Sequence, residues 1–258
     1  MQERLKEIYE LNNSLLQLAE NLQDEASGKI KMDSLKSDLF LLCFFFTKAS
    51  KTASAIVMLC QEGYAEDAYI LARTIFEIVV KSLYIFKSDS IERARAFILY
   101  DHLEKRKRLR KLANWNKEKG IMNNNVEEEL KKEEEICTDL EKDYQIDEKK
   151  VRWSENLEEV AKEVDFTHQY YTAYCLSSHY VHTSVRSSRS FVFETDKGLS
   201  FYIGPNEELS QDVLIWLFDL FRLIVREFDN RFNLGYQDKI LEVEEKFNKF
   251  MQSVINEK

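Results

Sequence analysis

The stretch Ala68–Ile85, AYILARTIFEIVVKSLYI, decides the fold, because it is helical in character and almost entirely apolar. Its few polar side chains include Arg73, Glu77 and Lys81. A helix that is apolar on most of its circumference is buried on more than one side. The stretch therefore predicts a helix inside a multi-helix bundle, in which Arg73 and Glu77 are more than simple surface charges.

The segments on either side of this stretch also have helical periodicity. Apolar residues recur every three or four positions within 3–26 and 240–254, and 207–232 is strongly apolar. The chain has one proline and six glycines, so helix-breaking residues are scarce. Residues 191–203 instead alternate apolar and polar side chains on both sides of Gly198, which is typical of a β-hairpin. The predicted fold is mainly α, a multi-helix bundle with one small β-hairpin at about 191–203.

The middle of the chain differs in composition from the rest. Residues 114–150 are strongly polar, with acidic blocks at Glu127–Glu129 and Glu133–Glu135 and an asparagine break at Asn123–Asn125. A charged segment with helical residues and such a break is typical of a solvated helical hairpin. We therefore predict one domain, 1–258, with a charged helical insertion at about 114–150.

Charge and cysteine usage limit the possible functions. The net charge of −9 argues against a general polyanion-coating role and leaves room for a local basic site. The four cysteines form no Cys-x-x-Cys pair, which favours reduced thiols and a cytoplasmic protein. The most apolar run, 39–46, is eight residues long, whereas a membrane-spanning helix needs about 20. We expect no membrane segment.

Most of the candidate chemistry lies in Tyr170–Arg189, YYTAYCLSSHYVHTSVRSSR, within a helix predicted from about Thr167 to Arg186. On a continuous helix His179, His182 and Arg186 are three and four residues apart and share one side. The same stretch has four tyrosines that could stack on a base or pack in the core, Tyr170, Tyr171, Tyr174 and Tyr180.

Three interpretations of the paired histidines are open. A metal site needs a further ligand, and the chain has neither a Glu-x-x-His nor a His-Glu-x-x-His motif, so no metal or cofactor is assigned. Interior histidines that hold the tyrosine-rich face together are a second interpretation. The third is metal-free phosphodiester cleavage, because imidazole both accepts and donates protons near neutral pH and arginine binds phosphate.

Two further patterns admit both structural and functional interpretations. Arg73 and Glu77 have the i, i+4 spacing of a helical ion pair, and could instead bind an anion and orient a histidine. Arg95 and His102 match the loose Arg-x(4–6)-His signature of HEPN ribonucleases, followed by the basic run Lys105–Lys111. That run could form an RNA-binding surface. The simpler interpretation is that it forms one solvent-exposed face of a helix.

Two motifs together resemble a bacterial helical family of unknown function. They are the Arg-Thr-Ile-Phe-Glu sequence at Arg73–Glu77 and the later helix with Tyr174, Ser178 and Val181–His182. The likeness covers roughly residues 50–205. It implies an all-helical core in which Arg73, Glu77 and His182 face one another. HEPN-type ribonucleases and abortive-infection proteins are a more distant likeness, at the level of fold.

The resulting functional prediction is a HEPN-like, metal-independent endoribonuclease of a bacterial toxin or phage-defence system. His182 is expected to be the general base, oriented by Glu77. Arg73 and Arg186 are expected to stabilise the phosphate, with His179 as acid or second phosphate contact. The alternative is a non-catalytic helical sensor or scaffold with a buried Arg/Glu/His network. Expected partners are RNA, a second copy of the chain or another protein.

Overall fold

The structure is a computed structural model that describes residues 2–31, 35–147, 151, 153, 156–182, 184–196 and 198–256. The side chain of Arg189, part of the stretch singled out above, lies outside the described residues. The helices are α1 Gln2–Ser27, α2 Ser37–Gln61, α3 Ala65–Lys87, α4 Ser90–Glu118, α5 Asn124–Tyr144, α6 Leu157–Glu163, α7 Thr167–Gln169, α8 Cys175–Val181, α9 Ser210–Phe232 and α10 Gln237–Asn256. A π-helix, Tyr170–Tyr174, joins α7 to α8, and a 3-10 helix spans Val185–Ser190.

Two short strands form an antiparallel hairpin, β1 Val192–Thr195 and β2 Gly198–Phe201. The prediction of a mainly α bundle with one small hairpin at about 191–203 is therefore confirmed.

The chain divides into two compact units. The first comprises Met1–Leu35, Leu39–Tyr84 and Leu157–Lys258, and the second comprises Lys36–Asp38 and Ile85–Asn156. The charged segment predicted at 114–150 lies within the second unit, which already begins at Ile85. The single-domain organisation stays a prediction.

The core of the first unit is built from the apolar faces of its long helices. α9 packs against α1 and α10, and Phe46 of α2 stacks on Phe228 of α9 with ring centroids 3.9 Å apart. Phe76, near the middle of α3, is fully buried. It contacts the rings of Tyr174 and Trp216. The stretch that predicted a buried helix therefore lies at the centre of this core.

The second unit is formed mainly by the antiparallel pair α4 and α5. Lys105 of α4 and Glu133 of α5 form an ion pair of 2.6 Å, and Arg110 and Glu134 form another of 2.7 Å. The basic run of α4 is thus partly neutralised by the acidic blocks of α5.

One described helix, α2, is long and apolar enough to cross a membrane by length and composition, a test that core helices of soluble proteins also pass. The expected absence of a membrane segment stays a prediction, as does the cytoplasmic location.

Candidate functional site

The helix that contains the paired histidines is irregular and ends earlier than its sequence predicts. α7 passes into the π-helix, where the Cys175 N–H bonds to the Tyr170 carbonyl five residues back. α8 then ends at Val181, and His182 occupies its C-cap with φ −97° and ψ 15°. The prediction of one continuous helix from about Thr167 to Arg186 is wrong.

Competing hydrogen bonds end α8 at this point. The Ser184 N–H donates to the His179 carbonyl over 3.1 Å, and the backbone of Ser184 is extended, with ψ 151°. The Ser187 hydroxyl donates to the Ser184 carbonyl over 2.8 Å. Serine side chains that bond to nearby backbone offer the chain an alternative to the helical pattern. The chain therefore turns back on itself after His182.

This turn brings Arg186 to His179 by a route other than a shared helical face. Arg186 Nη1 is 3.3 Å from His179 Nε2, and Ser184 Oγ is 3.1 Å from His179 Nδ1. A guanidinium only donates hydrogen bonds, so Nε2 must be the acceptor and carry no proton. His179 is then a neutral imidazole that holds its proton on Nδ1 and directs it at Ser184.

His182 lies at the open end of α8. His182 is exposed, and its side chain makes no hydrogen bond or ion pair to the part of the chain that the structure describes. Its position three residues after His179 separates the two β-carbons by roughly 5–6 Å. The carbonyl end of a helix also favours positive charge, such as an imidazolium or a guanidinium.

Arg73 and Glu77 of α3 are joined through a residue of the π-helix, Tyr174. The Arg73 guanidinium donates to the Tyr174 hydroxyl over 2.6 Å, and this hydroxyl donates to Glu77 Oε1 over 3.1 Å. Arg73 Nε is also 3.4 Å from Glu77 Oε1, and Lys81 Nζ is 3.7 Å from Glu77 Oε2. The guanidinium lies over the Tyr174 ring, 4.5 Å from its centroid. The network fixes the π-helix to α3.

Burial and the adjoining carboxylate change the acidity of the network. Burial, and after it the charge of Glu77, raises the pKa of Tyr174 from 10.0 to about 12. Burial likewise raises the pKa of Tyr170 and that of the Cys175 thiol. These groups keep their protons near neutral pH, so Tyr174 acts there as a neutral donor and acceptor.

Four of the five predicted site residues therefore form two pairs, and the fifth, His182, belongs to neither. Arg73 and Glu77 meet at Tyr174, and His179 and Arg186 meet in the turn after α8. His182 contacts neither Arg73 nor Glu77 in the described structure, although the family likeness implies that the three face one another. It follows Tyr174 by eight residues, a helical rise of roughly 12 Å.

Two residues of the site are not indicated by the sequence patterns. The Tyr174 ring is predicted to stack or to pack, whereas in the structure its hydroxyl bridges Arg73 and Glu77. Ser184 lies against His179, and no motif points to it. Serine clusters next to a histidine are a usable signal for a helix end. Nothing in the sequence indicates that the hydroxyl of Tyr174, about 100 residues later, bridges Arg73 and Glu77.

The second arginine–histidine pattern does not form one site. His102 Nδ1 is 2.5 Å from Glu133 Oε1, whereas the Arg95 guanidinium lies over the Tyr144 ring, 5.3 Å from its centroid. The two residues thus have separate partners on α5. Across the described ranges, no group of three or more His, Cys, Asp or Glu residues is placed to hold a metal ion.

Comparison with known proteins gives one result. Searches of curated proteins and of solved structures give no significant match. Residues 39–199, more than half of the chain, match the model of a family of unknown function, DUF5677. This range contains both motifs on which the family resemblance was based, and a family of unknown function is what that resemblance predicted. The chain belongs to the DUF5677 family.

Proposed function

We propose that the protein is a metal-independent endoribonuclease whose site is formed by His179 and His182 at the end of α8 and by Arg186 in the 3-10 helix that follows. One observation carries the proposal: Arg186 and Ser184 each lie within hydrogen-bond distance of a ring nitrogen of His179, and the exposed His182 lies one turn away. General acid–base cleavage needs one imidazole without a proton and one with it, close together and accessible to a phosphate.

The geometry suggests a division of roles that differs from the sequence expectation. His179 Nε2, the unprotonated nitrogen, takes the proton of an RNA 2′-hydroxyl. The 2′-oxygen then attacks the adjacent phosphorus and forms a 2′,3′-cyclic phosphate. As the bond to the 5′-oxygen breaks, His182 in its charged form gives that oxygen a proton. His179 is therefore the base, and His182 is the acid.

Arg186 and Arg73 have different functions in this scheme. The Arg186 guanidinium, which is exposed and bonds to the imidazole of His179, turns to the phosphate as substrate enters. Arg73 is already engaged by Glu77 and Tyr174, so we assign it and Glu77 as positioning residues that fix the π-helix to α3. They act through the placement of the helix end rather than on the phosphate.

The test is cleavage of an unstructured RNA by purified protein in excess chelator. Wild type should cleave to 2′,3′-cyclic phosphate ends, and His179→Ala and His182→Ala should each reduce the rate about 100-fold or more. His168→Ala is the matched control, since it removes a histidine of the same segment that the scheme does not use. Loss of cleavage in His168→Ala, or full activity in His182→Ala, would contradict the proposal.

A non-catalytic sensor or scaffold is the second candidate, and the Arg73–Tyr174–Glu77 network favours it. Such a half-buried polar network makes a core specific without any chemistry. Under this alternative, wild type leaves RNA intact, and Glu77→Gln changes the free energy of unfolding but no activity.

A further inference from the structure

The β-hairpin that follows the proposed site has two chemically different faces. In the register Val192↔Phe201 and Phe193↔Ser200, directly opposite side chains share a face. The bond from the Tyr202 N–H to the Phe191 carbonyl, 2.8 Å, continues this register. Phe193 and Tyr202 therefore share one face, which we call the aromatic face, and Phe191, with ψ −28°, precedes the extended part of the hairpin.

The aromatic face is accessible. Phe193 is 45% exposed and Tyr202 is 40% exposed. A two-stranded hairpin cannot cover its own faces. A ring that is open on one side can therefore stack on a nucleobase. Phe193 and Tyr202 on one small ribbon offer two ring surfaces to such a ligand.

Charge distinguishes the two faces. The positions that the register assigns to the aromatic face are aromatic, hydroxyl-bearing or glycine, so it carries no carboxylate. The opposite face carries Leu199, Phe201 and an exposed carboxylate, Glu194. A carboxylate repels a nucleic acid backbone, so a polyanion is better tolerated on the aromatic face.

Position along the chain connects this face to the proposed site. Phe191, which precedes the extended part of the hairpin, follows Arg186 by five residues, most of them in the 3-10 helix Val185–Ser190. At a rise of about 2 Å per residue this is roughly 10 Å. Successive stacked bases of one strand are about 3.4 Å apart, so a few nucleotides cover that distance.

We propose that the aromatic face is a base-stacking platform for single-stranded RNA, which holds the nucleotides next to the phosphate that the histidines attack. The identity of the ligand as RNA rests on the proposed function. Bases in a duplex stack on one another and leave no free ring face, whereas splayed bases of a single strand stack on aromatic side chains. The site accordingly takes unpaired RNA.

Binding can be measured without cleavage by fluorescence anisotropy with a short labelled 2′-deoxy oligonucleotide, which lacks the attacking hydroxyl. Phe193→Ala should weaken binding about tenfold or more. Phe201→Ala, which removes a more exposed ring from the opposite face, should leave it within about twofold. Phe193→Tyr keeps a ring and should bind as wild type does, whereas Phe193→Leu keeps apolar volume and should bind as Phe193→Ala does.

The outcomes separate this platform from the nuclease. Equal effects of Phe193→Ala and Phe201→Ala in folded proteins overturn the platform, as does equal affinity for the oligonucleotide and its duplex. Wild type that binds the single strand through Phe193 but cleaves no RNA overturns the nuclease and leaves the platform. Cleavage that is lost in His182→Ala but unchanged in Phe193→Ala overturns the platform alone.

Discussion

At the scale of single residues, the Tyr174 hydroxyl connects two charges that would otherwise meet only as a helical ion pair. It accepts from Arg73 and donates to Glu77, so a single oxygen bonds to both partners. The orientation of Arg73 before Glu77 is the less favourable one for an i, i+4 pair. The bridge therefore supplies stabilisation that sequence spacing alone does not.

Removing this hydroxyl should be costly. Tyr174→Phe leaves the ring and its stacking on Tyr170, but takes a partner from both charged groups. We expect a loss of about 1–3 kcal/mol in the free energy of unfolding, measured by urea titration. Tyr171→Phe is the control, because it removes an exposed hydroxyl bonded to Glu158 and should cost less than about 0.5 kcal/mol. Equal losses in the two variants would contradict the bridge.

The same residue predicts a pH dependence. The pKa of Tyr174 is about 12 in the folded protein and 10.0 for an ordinary tyrosine, so the folded state holds this proton more tightly. Its contribution to stability is complete below pH 10 and is lost as the pH rises towards 12. The difference in the free energy of unfolding between wild type and Tyr174→Phe should therefore narrow over this range. If urea titrations give the same difference at about pH 8 to 9 as at about pH 11, the predicted pH dependence is wrong.

At the scale of elements, a close contact connects the turn after α2 to the segment before α9. The Asn206 N–H donates to the Gly63 carbonyl over 2.7 Å, and Tyr64 forms a parallel bridge with Asn206. Gly63 has φ +78°, and a β-carbon there would lie 2.6 Å from the Pro205 β-carbon. Only glycine satisfies both the backbone conformation and the approach.

Gly63→Ala should therefore destabilise the first unit by about 2 kcal/mol or more, because the steric clash adds to the cost of the left-handed backbone. Gly120→Ala tests the backbone term alone, since Gly120 has φ +67° but no neighbour within 4 Å of an added β-carbon. We expect roughly 1 kcal/mol there. Thermal unfolding followed by circular dichroism compares the two variants. If both lose a similar amount of stability, the clash at Gly63 is relieved by small shifts and the prediction for Gly63→Ala is wrong.

Local sequence predicts most of the elements but not the end of the central helix. Hydrophobic periodicity and the break near Gly198 are local properties, so α1, α10 and the hairpin lie where the pattern indicates. The helical pattern of His179, His182 and Arg186, by contrast, continues past the real end at Val181. Whether serine side chains or the helix satisfies the backbone there is a balance of similar energies, which periodicity does not report.

At the scale of the whole molecule, the two units differ in what stabilises them. The first unit buries many aromatic and aliphatic side chains alongside Asp229 and Glu244, whereas the second unit buries few and places Glu133 between α4 and α5 with its side chain 1% exposed. Burial alone raises the pKa of Glu133, but hydrogen bonds from Lys105 and His102 outweigh it and hold that pKa below its usual value.

This difference predicts that acid unfolds the second unit selectively. The pKa of Glu133 is lower in the folded protein than the value of 4.5 in the unfolded chain. Its contribution to the stability of the second unit is therefore complete above pH 4.5 and is lost as the pH falls through the folded pKa. Glu133→Gln should cost about 1–3 kcal/mol at neutral pH. Backbone hydrogen exchange in Glu133→Gln should be faster than in wild type within α4 and α5, and unchanged within α9. Glu134→Gln, whose residue is half-exposed, is the control, and equal acceleration there would contradict the prediction.

The π-helix at Tyr170–Tyr174 has a consequence for how the gene can change. A π turn accommodates one more residue than an α-helix of the same length. Deleting Ala173 would restore the regular repeat and rotate Tyr170 by about 100° relative to Tyr174, separating rings that now stack with centroids 5.2 Å apart. A one-codon deletion here should therefore be more damaging than most substitutions, so the number of residues in this segment is constrained as strictly as their identity.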